Sequence, residues 1–254
     1  MTLDLFARPA LLFLPANRER AVAKARVSGA DVVVLDLEDA VKAEDKSTAR
    51  QSALTAVEER WSMPVGIRVN GDSQDDLAMA LQSKCDFIVM PKAERPLDGR
   101  GKPVLAMIET ASGVIDVAAI ARSVSGLIVG TNDLAASLRL PAINRESMGF
   151  ALQSCVLAAR AAGIAVFDGV FNRLNDPDGL ARECADSRAL GFDGKSLIHP
   201  DQIAPCQHVF APTADELARA ERLVAASSGG AQRFEGAMIE DLHVAAARRL
   251  LAGR

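Results

Sequence analysis

The sequence has 254 residues, of which 49% are hydrophobic and 24% are charged, and a formal net charge of -4. This length suits one α/β barrel or two smaller domains, and the composition is typical of a globular protein with a large core. The weakly acidic balance argues against a nucleic-acid-binding protein. The four cysteines lie far apart with no CxxC pair, which indicates neither a disulfide framework nor a zinc site and fits a reducing cytoplasm.

The first apolar run, residues 11–14, is too short to span a membrane. An acidic residue, Asp4, precedes it where a signal peptide would carry positive charge, so we predict neither a signal peptide nor a membrane segment. We interpret the run as the first strand, which ends at Pro15. A helix is predicted over residues 17–28, because Gly29 is a typical helix terminator.

Seven further apolar runs alternate with helical segments along the chain. The predicted strands span residues 31–36, 65–70, 87–91, 104–109, 127–130, 165–168 and 195–199. The predicted helices span residues 42–61, 75–82, 112–123, 145–162 and 177–190. The polar stretch 94–102 contains Pro and Gly residues, which argue against a full helix between the fourth and fifth strands. Eight strands alternating with helices predict a (β/α)8 TIM barrel, because a doubly wound sheet usually has fewer strands.

Three predicted segments follow the last strand: residues 200–210, 214–226 and 238–251. The Ser/Gly stretch 227–230 is a predicted flexible linker. We therefore divide the chain into a TIM-barrel catalytic domain, residues 1–210, and a C-terminal helical extension, residues 211–254. Such an extension is expected either to cover the mouth of its own barrel as a lid or to contact a neighbouring subunit.

Two predicted strands deliver a carboxylate into the loop that follows them, the first through Glu109 and the second through Asp133. Parallel strands of this buried type end at the same edge of the sheet, so both acids are expected there. Two carboxylates make an oxygen-rich site that suits Mg²⁺, with waters and substrate oxygens as the other ligands. The alternative is that both acids cap the helices that follow.

Further polar residues end the predicted strands, at the edge that carries the active site in a TIM barrel. They are Asp36, Glu38, Asp39, Arg68, Asn70, Lys92, Asn132, Asp168 and His199. A structural interpretation pairs Glu38 and Asp39 with Lys92 or Arg68, because buried charges are usually paired. For His199, a structural hydrogen bond is favoured over a role as general base. Taken together, these residues include more acids than cations, and this excess of negative charge favours a divalent metal ion bound among them.

Eight ordered blocks cover nearly the whole chain and are similar to those of a known family. They are Arg8-Pro-Ala-Leu-Leu-Phe-Leu-Pro-Ala-Asn-Arg18, Leu35-Asp-Leu-Glu-Asp-Ala-Val41, Ile67-Arg-Val-Asn70, Met90-Pro-Lys92, Ala106-Met-Ile-Glu-Thr110, Gly130-Thr-Asn-Asp-Leu134, Gly191-Phe-Asp-Gly-Lys195 and Ile198-His-Pro-Asp-Gln202. On these blocks the sequence resembles the HpcH/HpaI aldolase and citrate lyase β-subunit family, and most closely its CitE-like branch. The resemblance implies a TIM barrel, usually trimeric or hexameric, that uses Mg²⁺ to cleave or form a carbon–carbon bond in a 3-hydroxyacyl thioester.

The resemblance also implies roles for individual residues. Glu109 and Asp133 match the metal ligands, and Arg68 matches the arginine that binds the oxygens of the 2-oxo acid. Glu38 and Asp39 match acids near the waters of the metal and are predicted to be catalytic with Arg68. Three more residues are predicted to bind substrate, the first two near the phosphates of CoA: Arg8, Arg18 and Lys92.

The C-terminal extension departs from the family pattern. Relatives with a complete lid usually carry an Asp after Met-Ile or Met-Val, and this Asp reaches a neighbouring subunit's site as an acid or base. Here Glu240 occupies that position and Asp241 follows it. A carboxylate displaced by about 1 Å can lose about a hundredfold in rate. We therefore predict that Glu240 takes the place of the lid acid in lyase chemistry, and the pattern does not favour thioester hydrolysis.

The predicted function is cleavage of a citryl-, malyl- or citramalyl-CoA type thioester into acetyl-CoA, or a homologue, and a 2-oxo acid. One alternative is a β subunit of a citrate lyase complex that acts on a thioester of an acyl carrier protein. Another is a non-catalytic barrel that serves in binding or assembly. The expected protein is a cytoplasmic homo-oligomer, a trimer or hexamer, with no nucleic-acid or membrane partner.

Overall fold

The computed structural model describes residues 3–252, and its main feature is a closed barrel of eight parallel strands. The strands are β1 (Ala10–Pro15), β2 (Val32–Asp36), β3 (Val65–Arg68), β4 (Phe87–Met90), β5 (Val104–Ile108), β6 (Gly126–Val129), β7 (Ala165–Asp168) and β8 (Gly194–Leu197). Each strand pairs with the next along the chain, and β8 pairs with β1 to close the barrel. The predicted TIM barrel is confirmed.

Helices connect successive strands around the barrel. They are α1 (Glu19–Ala25), α2 (Lys46–Glu58), α3 (Gln74–Gln82), α4 (Ala111–Ile115), α5 (Val117–Ala121), α6 (Thr131–Ser137), α7 (Gly149–Ala162), α8 (Pro177–Leu190) and α9 (Ile203–Phe210). Two short 3-10 helices, Ala43–Asp45 and Pro200–Gln202, precede α2 and α9. As predicted, β4 and β5 are connected without a helix. The helix predicted over residues 112–123 is divided in two, because the backbone of Asp116 departs from helical geometry.

Side chains alternate between the inside and the outside of the barrel along each strand. Those that face inward form one apolar cluster: Leu5, Leu11, Phe13, Val32, Val34, Phe87, Val89, Leu105, Met107, Ile128, Ala165 and Phe167. The residues between them, such as Val33 and Leu35, pack in a second cluster with residues of the helices. The alternation continues at the carboxyl ends of the strands, where it turns four polar residues inward: Asp36, Arg68, Glu109 and Ser196.

A second compact unit begins at Ala211, after the first ends at Phe210. It contains α10 (Ala214–Ala226), an antiparallel hairpin of β9 (Gln232–Phe234) and β10 (Ala237–Ile239), and α11 (Asp241–Ala252). Its small core is formed by Ala220, Leu223, Ile239, Val244 and Ala247. The predicted segment 238–251 is therefore part of a strand followed by a helix. The role of this unit as a lid or subunit contact remains a prediction.

Candidate active site

A cavity of about 440 Å³ opens at the carboxyl ends of the barrel strands. Its wall combines apolar residues, chiefly Phe13, Met107 and Val129, with polar ones. The polar residues of the wall are Asp36, Asp39, Arg68, Glu109, Thr131, Asn132, Asp133, Asn172 and Ser196. The structure thus brings together four residues of the predicted site, namely Arg68, Asp39, Glu109 and Asp133.

Arg68 lies in the wall of this cavity, at the end of β3, and is held by acids on three sides. Its Nε and Nη2 each donate to a carboxylate oxygen of Asp36 at 2.6 Å. Its Nη1 lies 3.1 Å from Glu38 and 3.7 Å from Asp39, and its guanidinium faces the ring of Phe13. Burial alone would lower the pKa of Arg68, but the three acids outweigh it and raise the pKa. The guanidinium therefore stays charged and has a fixed orientation.

Glu109 follows β5 and is 1% exposed. Its Oε1 accepts a hydrogen bond of 2.7 Å from the backbone N–H of Lys92. Burial, together with the negative charges of Glu38 and Asp133, raises the pKa of Glu109 to about 7 and outweighs the opposite effect of the Lys92 N–H. A bound cation would therefore stabilise the ionised form of this carboxyl group, which burial and the neighbouring acids disfavour.

Asp133 lies in the first turn of α6, which follows β6 directly. The interpretation of the two acids as helix caps is wrong. The N-cap of α4 is Thr110, whose hydroxyl accepts the N–H of Gly113, and the N-cap of α6 is Gly130, which has no side-chain cap. Both carboxylates therefore remain available to a ligand in the cavity.

The donor set of this site fits Mg²⁺. Within residues 3–252 we find no group of three or more His, Cys, Asp or Glu residues arranged to hold a metal by themselves. The cavity instead offers two carboxylates, Glu109 and Asp133, and Mg²⁺ is commonly bound through one or two carboxylates plus waters and substrate oxygens. The raised pKa of Glu109 also indicates a crowded acidic site that a divalent cation would relieve.

Lys92 connects two of the predicted acids. Its backbone has a φ of 48°, which is uncommon for a residue other than glycine, and directs the N–H to Glu109. Its Nζ lies 3.2 Å from Oε1 of Glu38. The structural interpretation paired Glu38 with Lys92 or Arg68, and the structure shows contacts with both. Although burial opposes it, the charges of Glu38, Asp39 and Asp133 raise the pKa of Lys92. Lys92 therefore organises the acids, while its predicted contact with substrate stays a prediction.

The structure separates Arg8 from the cavity, in contrast to its prediction as a CoA-binding residue. Arg8 precedes β1, and its guanidinium donates to the backbone oxygens of Asp4 at 3.0 Å and Asp31 at 3.1 Å. Both groups lie at the amino ends of the strands, and a six-residue strand is about 20 Å long. Arg8 therefore belongs to the end of the barrel opposite the cavity.

Arg18, in contrast, lies after β1 at the carboxyl end of the barrel. It is exposed and lines a second cavity, of about 950 Å³, together with Arg20 and Lys24. This second cavity shares four wall residues with the first: Phe13, Leu14, Pro15 and Ile198. Three cations, together with the acids Glu19 and Asp201, thus line a cavity that adjoins the acidic site.

Glu240 belongs to the second unit, where it directly precedes α11. Its backbone N–H donates to Nδ1 of His243 at 3.0 Å, and its carbonyl oxygen accepts the N–H of His243 at 2.9 Å. These bonds fix the start of the helix, and they involve the backbone of Glu240 and not its carboxylate. Its action as a lid acid remains a prediction.

Asp168 and His199, two other strand-end residues, do not line the acidic cavity. Asp168 has the opposite parity to Phe167 and lies outside the barrel, where its Oδ2 contacts Nζ of the buried Lys195 at 2.7 Å and Nη1 of Arg145 at 3.0 Å. Burial alone would raise the pKa of Asp168, but these two cations lower it. His199 makes the structural hydrogen bond that was predicted, since its Nδ1 accepts the N–H of Asp201 at 3.2 Å.

Sequence reasoning missed two functional candidates, Asp36 and Ser196. The sequence marks Asp36 as a strand-end acid and indicates no role for it, although it is the closest partner of Arg68. Its signal was the inward parity it shares with Val32 and Val34. No pattern in the sequence distinguishes Ser196, which lies on β8 and lines the cavity.

Comparison with known proteins identifies the family to which the sequence is similar. The chain matches the protein family described as HpcH/HpaI aldolase/citrate lyase over residues 9–102 and 99–200. It is 38% identical to a (3S)-malyl-CoA thioesterase of Cereibacter sphaeroides, over 95% of this chain and 93% of the relative. It is 34% identical to the citrate lyase subunit beta of Leuconostoc mesenteroides, over 90% and 85% of the two chains.

A solved structure of the same type covers nearly the whole chain. CitE from Mycobacterium tuberculosis, crystallised with magnesium, acetoacetate and coenzyme A, superposes with a TM-score of 0.86 and 31% identity. The match covers 98% of this chain and 99% of that one. On sequence and fold, the chain belongs to the HpcH/HpaI aldolase/citrate lyase family.

Proposed function

We propose that this protein is a Mg²⁺-dependent carbon–carbon lyase. It cleaves a 3-hydroxyacyl-CoA thioester of the citryl, malyl or citramalyl type to acetyl-CoA, or a homologue, and a 2-oxo acid. The observation that carries this proposal is the cavity in which Glu109 and Asp133 share one wall with the fixed guanidinium of Arg68. The complex of the related CitE with magnesium, acetoacetate and coenzyme A supports it.

In this proposal Glu109 and Asp133 hold the Mg²⁺. When bound, the ion supplies Lewis-acid polarisation and a template for the oxygens of the hydroxy acid. Two features keep the carboxylate of Glu109 in one position. The side chain is buried, and one of its oxygens accepts a hydrogen bond from the N–H of Lys92. The protein thus supplies a rigid pair of ligands and leaves the other positions to substrate and water.

Arg68 binds the carboxylate of the acid half of the substrate. Asp36 occupies two of its nitrogens, and we assign the third, Nη1, to the substrate, which it would bind beside Glu38 at 3.1 Å and Asp39 at 3.7 Å. A preorganised donor of this kind contributes roughly 3–4 kcal/mol to the stabilisation of developing charge. Asp39 also lines the cavity, and we assign to it the acceptance of the hydroxyl proton as the carbon–carbon bond breaks. The electron pair of that bond passes to the thioester carbonyl as an enolate, which is then protonated, in our proposal by Glu240 of a neighbouring subunit.

The CoA half of the substrate is assigned to the second cavity. Arg18, Arg20 and Lys24 line this cavity and offer positive charge to phosphate groups. The position of these cations next to the acidic site allows one thioester to reach both cavities.

We further propose that the protein acts in the cytoplasm as a homo-oligomer, a trimer or hexamer. Size-exclusion chromatography with light scattering would measure the number of subunits.

The proposal is tested with purified protein, Mg²⁺ and a panel of malyl-CoA, citramalyl-CoA and citryl-CoA. The wild type is expected to release a 2-oxo acid from at least one of them, and Glu109→Ala and Asp133→Ala are expected to abolish the Mg²⁺-dependent reaction. Glu58→Ala is a matched control, because Glu58 is an exposed acid paired with the exposed Lys84. Full activity of either ligand variant would overturn the ligand assignment.

Thioester hydrolysis is a second candidate, favoured by the (3S)-malyl-CoA thioesterases among the relatives. The products distinguish the two reactions on malyl-CoA. A lyase releases acetyl-CoA and glyoxylate, whereas a thioesterase releases free CoA and malate. A third candidate is action on a thioester carried by an acyl carrier protein, favoured by the citrate lyase subunit beta among the relatives. Turnover of free CoA thioesters without other subunits would exclude a strict requirement for that carrier.

A further inference from the structure

Ser196 carries an unsatisfied hydroxyl group in the wall of the acidic cavity. It lies on β8, is 2% exposed, and its Oγ has no hydrogen-bond partner in the part of the chain that the structure describes. Its neighbours Lys195 and Leu197 face away from the barrel interior, toward α8 and the outer core. Ser196 therefore faces inward, and its side chain borders the cavity.

A buried hydroxyl group without a partner is unfavourable, because it has lost its bonds to water and gained none in return. Such groups are rare in folded proteins, and each calls for an explanation. The chain satisfies the hydroxyl of another buried serine, Ser187, through Oδ2 of Asp168 and the backbone oxygen of Glu183, each at 2.6 Å. Ser196 differs from Ser187 in two respects: its hydroxyl has no partner among the described residues, and it lines the cavity.

We propose that Ser196 is a substrate-binding residue whose hydroxyl donates a hydrogen bond to an oxygen of the 2-oxo acid half of the substrate. This inference rests on the proposed function. Ser196 and Arg68 are both buried and line the same cavity, whereas the cations that suit CoA lie in the adjacent, exposed surface. The small acid is the part of the substrate that can reach a hydroxyl enclosed by the barrel.

The position of Ser196 also suits a selective contact. Its strand partner across the barrel seam is Leu11, an apolar residue of the interior cluster, and Phe13 lies in the same cavity wall. Among residues 3–252 no protein acceptor bonds this hydroxyl, so an oxygen of the ligand gains the full benefit of the bond. A ligand that places a methyl group there would leave the hydroxyl unpaired.

The experiment compares wild type, Ser196→Ala and Ser187→Ala in calorimetric titrations with pyruvate and with oxaloacetate, each in excess Mg²⁺. Ser196→Ala is expected to weaken the binding of at least one acid about tenfold, since the lost bond is made to a charged ligand. Ser187→Ala is the matched control, because it removes a buried hydroxyl outside the cavity, and it is expected to bind both acids as the wild type does.

Thermal unfolding of the ligand-free proteins separates a binding role from a structural one. Ser196→Ala is expected to unfold at the same temperature as the wild type or higher, because it removes an unpaired polar group. Ser187→Ala is expected to unfold at a lower temperature, because it leaves Asp168 with one donor fewer. A lower unfolding temperature for Ser196→Ala would assign it a structural role and overturn the inference.

Two results of the titration have different meanings. If the wild type binds an acid with Mg²⁺ and Ser196→Ala binds both acids equally well, the inference fails while the proposed function stands. If the wild type binds neither acid in the presence of Mg²⁺, the proposed function fails and the inference fails with it.

Discussion

Asp36 and Arg68 form a buried two-point ion pair, in which Nε and Nη2 of the arginine lie 2.6 Å from the two carboxylate oxygens. They are partners in the register of β2 and β3, so the backbone itself places one beside the other. This pair fixes the plane of the guanidinium before any substrate arrives. The site therefore depends on an acid that does not itself need to touch the substrate.

Asp36→Asn keeps the shape of the side chain and removes its charge. Loss of one partner from a buried ion pair typically costs about 3–5 kcal/mol, so we expect a large decrease in the free energy of unfolding. Asp39→Asn is the control, because Asp39 lies 3.7 Å from Arg68 and its side chain is 54% exposed; it should cost less than about 1 kcal/mol. Urea titrations measure both, and equal losses would contradict this ranking.

The affinity for Mg²⁺ should depend on pH through Glu109. The pKa of this carboxyl is raised to about 7, and a metal binds the deprotonated form. Its ionised fraction then rises from about 10% at pH 6 to about 90% at pH 8, so the affinity for Mg²⁺ should increase about tenfold over this range. Calorimetry in buffers of different ionisation enthalpy would also detect the released proton.

Two outcomes would check the assignment of this pH dependence to Glu109. Glu109→Gln should bind Mg²⁺ weakly and with little change between pH 6 and pH 8. A wild-type affinity that is constant over the same range would show that Glu109 is already ionised at pH 6.

Gly130 leaves space for the carboxylate of Glu109. A Cβ added at Gly130 would overlap Oε2 and Cβ of Glu109, so Gly130→Ala should displace this ligand and weaken Mg²⁺ binding at least about tenfold. Gly149→Ala is a matched control, since an added Cβ there meets no atom within 4 Å. Because Gly149 begins α7, the control should be neutral or slightly stabilising. Mg²⁺ titrations of both variants test this, and equal affinities would contradict it.

Lys195 should matter for stability. It is completely buried, with Nζ 2.7 Å from Asp168 and 2.6 Å from Glu183. Lys195→Met would leave these acids without their closest cation, and we expect a loss of about 3–5 kcal/mol in the free energy of unfolding. Lys84→Met, which removes an exposed lysine paired with Glu58, should cost less than about 1 kcal/mol. Denaturant titrations decide, and a small loss for Lys195→Met would show that the acids find other partners.

The barrel was predictable because its signals are local. Each strand is a short apolar run, and the structure places all eight within about two residues of the predicted bounds. The hairpin Gln232–Ile239 was missed because its two strands have three residues each and little burial. Strands this short carry no readable alternation of apolar and polar residues.

The site was predictable in part. Position after a strand identified Glu109 and Asp133 but did not separate Asp36, which faces inward, from Asp168, which faces outward. Counting parity along each strand would have separated them. The position of Arg8 follows from chain order in the same way, since a residue before the first strand lies at the amino ends of the strands, opposite the cavity. The unpaired state of Ser196 depends on atoms of distant segments, and no local pattern could report it.

The inward alternation along the strands has a consequence for how this protein can change. Asp36, Arg68 and Ser196 stand directly above the apolar residues that fill the barrel, so the upper layer of the core is also the floor of the site. Substitutions on the strands will alter folding and recognition together. Variation of substrate range, by evolution or by design, has more freedom at residues beyond the strands, such as Asn132 in the first turn of α6 and Asn172 in the loop after β7. Both border the cavity from outside that shared layer.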